Sequence, residues 1–194
     1  MDKGGAIFAL LTVSTVMLGS WFFAGLHVSM TTEELAYRTL YELEGNIELR
    51  EYGEITFVST SSNDIDDAFS ILSSYISRKN MEKKNIDMIF PVIIVGDDTI
   101  VNMSFILPAE YSADTAPSPI NPEITIHNVS SRKVAAIRFS GYAKSDIIEE
   151  KRSVLISKLD ENDLVTKGDF FLMCYNPPWI PPALMRNEIA VEVE

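Results

Sequence analysis

The sequence predicts an α+β fold: two β-β-α-β-β units of pseudo-twofold character, eight strands and two helices in all, preceded by an N-terminal transmembrane helix. Three observations lead there. A charge-free apolar run lies near the amino terminus, several later segments alternate apolar and polar residues, and the same strand and helix order recurs on both sides of a proline-rich connection.

Residues 4–32 contain no Asp, Glu, Lys or Arg, and residues 6–26 are nearly all apolar, with Ile7, Phe8, Leu10, Leu11, Val13, Val16, Leu18, Trp21, Phe22 and Phe23 among them. As a helix rising about 1.5 Å per residue this run is roughly 31 Å long, enough to cross the hydrocarbon layer of a bilayer. A cleaved signal peptide is the competing expectation, but such a peptide has a shorter apolar region and a small-x-small cleavage site. Phe22 and Phe23 spoil the sites that would end at Ala24 or Gly25. Residues 1–32 are therefore expected to be an anchor that meets the membrane through residues 5–27. Lys3 precedes the run and Glu33 and Glu34 follow it, a bias that puts residues 33–194 outside the cytoplasm.

Strand signals begin with Ile47-Glu48-Leu49-Arg50 and continue at residues 55–60. Asn63 or Asp64 can cap a helix over 64–78, where Ile65, Ala68, Phe69, Leu72 and Ile76 share one face. Strands at 90–95 and 100–107 follow, separated by a Gly96-Asp97-Asp98 turn. Prolines then crowd the connection 108–122, which can continue neither a helix nor a central strand. Beyond it the order repeats. Strands at 124–127 and 133–140 precede a helix that Ser145 can cap, with Ile148, Val154, Leu155 and Leu159 inward, and strands at 170–175 and 188–193 end the chain. The half-repeats run from about 44–108 and 122–194.

Composition excludes several functions. Sixteen Lys and Arg oppose 28 Asp and Glu, and a net charge of -12 repels a nucleic-acid backbone. One cysteine, Cys174, and two histidines leave no internal disulfide and no thiolate or histidine cage for a metal. No phosphate loop, nucleophile elbow or paired-histidine zinc motif is present, so no enzymatic activity is expected.

Five phrases, in order, are similar to those of the SOUL haem-binding protein family. They are Ile47-Glu48-Leu49-Arg50-Glu51-Tyr52, Met88-Ile89-Phe90-Pro91-Val92, Met103-Ser104-Phe105-Ile106-Leu107-Pro108, Phe139-Ser140-Gly141-Tyr142-Ala143, and the tail Tyr175-Asn176-Pro177-Pro178 with Arg186-Asn187-Glu188. The resemblance covers residues 34–193. It implies the duplicated barrel-like fold shared with bacterial effector-binding domains, and non-catalytic binding of haem or a related tetrapyrrole in a cleft along the first helix.

A haem site needs apolar walls, a cation for the propionates and, for a ligated iron, His, Met, Cys or Tyr. Asp66, Phe69, Leu72, Ser73 and Ile76 are the candidate groove residues. No Lys or Arg occurs in the helix before Arg78, and Asp64, Asp66 and Asp67 at its start suit helix capping. His127 is an axial-ligand candidate, although an outward strand histidine is more simply solvated. Met88, Met103, Met173 and Met185 could approach a flat guest, and Cys174 fits a small buried hydrophobe; core filling is the expectation for all of them. The sequence thus points to a membrane-anchored domain for a tetrapyrrole or another flat, mainly apolar ligand. A protein-interaction module without a small ligand, or a sensor of cationic amphipathic compounds, are the alternatives.

Overall fold

The computed structural model describes residues 17, 19–27, 33–96 and 99–194. Nine antiparallel strands form one continuous sheet: β1 (Arg38–Leu43), β2 (Ile47–Tyr52), β3 (Ile55–Ser62), β4 (Ile89–Gly96), β5 (Val101–Ile106), β6 (Thr125–Val129), β7 (Arg132–Phe139), β8 (Thr166–Cys174) and β9 (Asn187–Val193). The helix α1 (Ile65–Ile76) joins β3 to β4, and α2 (Ser145–Glu161) joins β7 to β8. A single 3-10 turn, Pro182–Leu184, precedes β9.

The expected count of eight strands is corrected to nine. The extra strand, β1, forms a hairpin with β2, closed by the pair Leu43 and Ile47. Gly45 and Asn46 make its turn with φ of 92° and 60°, a backbone region that glycine and asparagine occupy most readily. Strand pairing adds what the spacing left open. The expected short turns from β2 to β3 and from β6 to β7 exist, but the strands they join are not partners. β2 pairs with β7, and β6 pairs with β3, so each half lends its first strand to the other.

The sheet order β1-β2-β7-β9-β8-β4-β5-β3-β6 shows the symmetry of this exchange. With β1 set aside, swapping each strand for its counterpart in the other half reverses the order onto itself, and the axis falls between β8 and β4. That seam is thin, because only the pairs Val92 with Cys174, Ile93 with Met173, and Ile94 with Leu172 cross it. Pro91 has no amide hydrogen to give a ladder, and the register of β4 against β5 shifts between Ile89 and Ile93.

Both faces of the sheet are apolar. One face curls on itself, and Tyr52, Ile55, Phe57, Ile93, Ile106, Val134, Phe171 and Met173 from both halves form a common core there. The other face lies under the helices. α2 covers Leu49, Ala135, Ile137, Ile189 and Val191, whereas α1 covers Val58, Val92, Met103 and Phe105. Alternation along each strand sends neighbours such as Phe57 and Val58 to opposite cores.

Asp64 caps α1, accepting a 2.8 Å hydrogen bond from the Asp67 backbone, and Asp66 and Asp67 lie in the first turn, where negative charge suits the helix dipole. The second helix differs from expectation at its start: Lys144 occupies the cap position without a side-chain bond, and Ser145 is already helical. Val154, expected inward, is exposed; Leu155 and Leu159 carry the packing.

Residues 19–27 are helical. Among the described residues no helix is long and apolar enough to cross a membrane. Most of the expected anchor, however, lies outside the described residues.

Candidate functional site: a groove over the sheet seam

Two helices on one sheet face leave the seam between the halves uncovered. There a groove of about 370 Å³ opens, with Val92, Ile94, Met103 and Cys174 from β4, β5 and β8 at its base. Ile65, Asp66 and Phe69 of α1 form one side. Met88 and Phe90, Tyr142 and Ala143, and Asn176, Pro177, Pro178 and Met185 supply the rest of the wall.

The wall loops are fastened to each other. The Gly141 amide donates to the Pro182 carbonyl at 3.0 Å, and the Asn187 side chain donates to the Gly141 carbonyl at 2.7 Å. Gly141 has φ of 91°, which a residue with a Cβ would adopt at a cost. Asn176 accepts a 2.6 Å bond from the Arg186 amide. The two asparagines of the wall thus hold the loops in place.

The chemistry of the lining is soft and aromatic. Three methionine sulfurs, the Cys174 thiol and the rings of Phe69, Phe90 and Tyr142 suit a flat polarizable guest. Burial pushes the Cys174 thiol up to about 12, so it is a neutral thiol at physiological pH. Among the described residues that line the groove none is Lys, Arg or His, and Asp66 bears the single formal charge. A tetrapyrrole ring fits this surface by burial; its carboxylates find no cation in the lining.

Of the candidate groove residues, Asp66 and Phe69 line the groove. Leu72, Ser73 and Ile76 do not. Leu72 is fully buried under α1, Ile76 packs against the same core, and Ser73 is half-buried beyond the groove wall. The reason is the azimuth of the helix: Ala68, Leu72 and Tyr75 face the sheet, which turns Ile65 and Phe69 past its edge, 47% and 42% exposed. Phe69 stays in edge contact with Phe105, ring centroids 5.3 Å apart. His127 is also elsewhere, exposed on the edge strand β6 beside the Phe57 ring. Met88, Met103 and Met185 line the groove, whereas Met173 fills the inner core.

A second feature went unread in the sequence. Beneath the sheet, Arg50 and Glu188 are 1% and 0% exposed and form a two-pronged ion pair, with Arg50 Nη2 donating to Glu188 Oε1 at 3.0 Å. Arg186 Nε donates to the same oxygen at 2.9 Å, and the Tyr175 hydroxyl donates to Glu188 at 3.1 Å. The Tyr37 ring covers the Arg50 guanidinium, and the Tyr175 ring covers that of Arg186. Burial alone would raise the pKa of Glu188, but hydrogen bonds and charge from Arg50 and Arg186 outweigh it and hold the carboxyl below its usual range. Burial pushes the Tyr175 hydroxyl up, reinforced by the Glu188 charge.

A larger hollow of about 530 Å³ lies between residues 33–36 and the 106–112 connection, but Glu33, Glu34 and Glu54 border it. Its wall is also largely apolar, with Leu35, Ile55, Ile89, Ile106 and Leu107, but it carries three carboxylates where the seam groove carries one, and it has neither methionine nor phenylalanine. The phrases that resemble a known family converge instead on the seam groove: Met88, Phe90 and Val92 from the second, Met103 from the third, Tyr142 and Ala143 from the fourth, and Asn176, Pro177, Pro178 and Asn187 from the tail. The first phrase and the end of the tail supply the buried charges.

The chain is 29% identical to human (Homo sapiens) "Heme-binding protein 2" over 148 residues, 69% of this chain and 72% of that protein. Among solved structures, the EcmrR C-terminal domain superposes with a TM-score of 0.58 at 12% identity, covering 81% of this chain and 98% of that one. A hydrolase from Listeria innocua gives a TM-score of 0.55 at 9% identity, covering 79% and 94%. At such identities these two share the fold and nothing more is carried over. The model of the SOUL heme-binding protein family matches residues 32–192, and the chain belongs to that family.

Proposed function

We propose that this domain binds haem, or another flat and mainly apolar tetrapyrrole, in the groove over the β4 and β8 seam, without catalytic turnover. The single observation that carries this reading is the groove itself: about 370 Å³ of open space whose lining is aliphatic, aromatic and sulfur-bearing. Membership of the SOUL family supports it from a different direction. Binding here rests on ring burial between Phe69, Phe90 and the methionines. Haem supplies its own iron chemistry when bound; the chain's part is to exclude water from the ring and orient it. Residues 5–27 serve as a membrane anchor and hold the domain outside the cytoplasm, a reading supported by the charge-free run and the position of Lys3.

Titration of the detergent-solubilised full chain with haemin tests the binding. A Soret shift that saturates at micromolar haemin is expected; absorbance that rises linearly without saturation would overturn the proposal.

A protein-interaction role has one observation in its favour, the exposed Ile65, Phe69 and Tyr142 at the rim. The open groove weighs against it, since a surface that only docks another protein has no need of an unfilled trough. For a cationic guest, the carboxylate of Glu188 is already engaged by Arg50 and Arg186, which leaves Asp66 alone at the groove. A cationic dye titrated in parallel with haemin distinguishes the two ligand classes.

A further inference from the structure

We infer that the loop 177–184, which forms one wall of the groove, rests on a zwitterionic bilayer surface, so that the groove takes its guest from the lipid rather than from water. This rests on the anchored reading above and adds a direction to it. The described helical residues 19–27 are not free of the domain. The Trp21 indole donates a 2.7 Å hydrogen bond to the Trp179 carbonyl. Gly25 lies so close to Pro181 and Leu184 that a Cβ there would come within 2.6 Å of the Pro181 ring.

Depth follows from helix geometry. Trp21 is five residues before Leu26, the end of the apolar run. At a rise of about 1.5 Å per residue that is roughly 7–8 Å before the end of the run. Because an irregular loop does not enter the hydrocarbon, the contact with the domain sets the headgroup level, where tryptophan and tyrosine gather, at Trp21. The hydrogen bond brings Trp179 to the same level. Trp179 is 49% exposed and Tyr142, beside Gly141 on the loop bonded to Pro182, 53%. Pro177 and Pro178 line the groove immediately before Trp179, and Met185 lines it immediately after Leu184. One loop therefore touches the membrane helix on one side and the groove on the other. The net charge of -12 selects the lipid: an anionic surface repels this domain, whereas a zwitterionic one does not. A tetrapyrrole dissolved in the bilayer then reaches the groove without crossing water.

Trp21 and Trp179 are the two tryptophans of the chain, which makes the test direct. Full-length protein is reconstituted in phosphatidylcholine vesicles carrying bromine on the acyl chains, either near the headgroup or near the chain ends. In Trp21→Phe, Trp179 emission is expected to be lost to headgroup-side bromines and much less to deep ones. The unsubstituted protein should lose more emission than Trp179→Phe reports for Trp21 alone, a comparison that keeps the indole hydrogen bond intact in the former. Gly25→Leu, which pushes the helix off Pro181, should restore Trp179 emission. If Trp21 is quenched while Trp179 is untouched in both measurements, the anchor stands and the seated loop falls. If neither tryptophan is quenched, the anchor falls and this inference falls with it, while haemin binding is judged by its own titration.

Discussion

Val92 on β4 and Cys174 on β8 are paired across the seam where the two halves of the sheet meet, and both line the groove. The position follows from the symmetry. Each half provides one helix, each helix covers one four-strand side of the sheet, and the line where the two sides join is left open. A pseudo-symmetric fold thereby creates an asymmetric site, because α1 extends Ile65 and Phe69 over one side while the Pro177 loop closes the other.

Phe69 is a safe point at which to probe the groove, being half outside the core. Phe69→Ala should weaken haemin binding about three- to tenfold, equivalent to about 0.7–1.4 kcal/mol of lost ring contact. Haemin titration of the variant checks this, with thermal unfolding as the control for fold. Unchanged affinity would place the guest elsewhere.

Carboxylates should matter little. With no Lys, Arg or His among the described lining residues, haemin and its dimethyl ester are expected to bind within about threefold of each other. Competition between the two at equal detergent concentration measures the ratio. A strong preference for the free acid would reveal a cation at the site.

Glu188 sets the acid stability of the fold. Its pKa is lowered in the folded state, so its contribution is present above the unfolded value of about 4.5 and is lost as pH falls through the folded value. Glu188→Gln leaves two arginines without their shared carboxylate and should cost about 3–5 kcal/mol at neutral pH. Denaturant unfolding between pH 7 and pH 3 should also show a shallower loss of stability for the variant than for the parent. Parallel curves would remove Glu188 from this role.

Cys174 should be slow to react. Its thiol pKa of about 12, raised by burial, keeps it protonated at pH 8, so alkylation of the folded protein there is expected to be slow although the residue lines the groove. Mass spectrometry after iodoacetamide treatment, with and without denaturant, counts the modification. Rapid stoichiometric labelling of folded protein would mean that the thiolate forms readily at the groove base, against a raised thiol pKa.

Much of the secondary structure was legible because its signals are local. The period of two in Ile47-Glu48-Leu49-Arg50 and the apolar spacing of Ala68 and Leu72 need no knowledge of partners. β1 was not legible in that way, since it lies at the sheet edge with every residue exposed or half-buried and therefore carries weak alternation. The family phrases carried the family assignment, yet the helix face drew the groove residues toward Leu72 and Ile76. Which side of an amphipathic helix meets the sheet is a matter of azimuth, and residues on one broad stripe differ in fate by a rotation that spacing does not specify.

By itself the sequence determined the family, the order of strands and helices, the duplication and the apolar amino-terminal run, all properties written in neighbouring residues. Tertiary structure alone decided that first strands are exchanged between halves and that the groove lies over their seam. It also decided that Arg50 and Glu188, 138 residues apart, neutralise each other in the core. The physical reason is range. Periodicity and turn chemistry act over a few residues, whereas strand pairing, helix azimuth and charge burial depend on what the folded chain brings alongside.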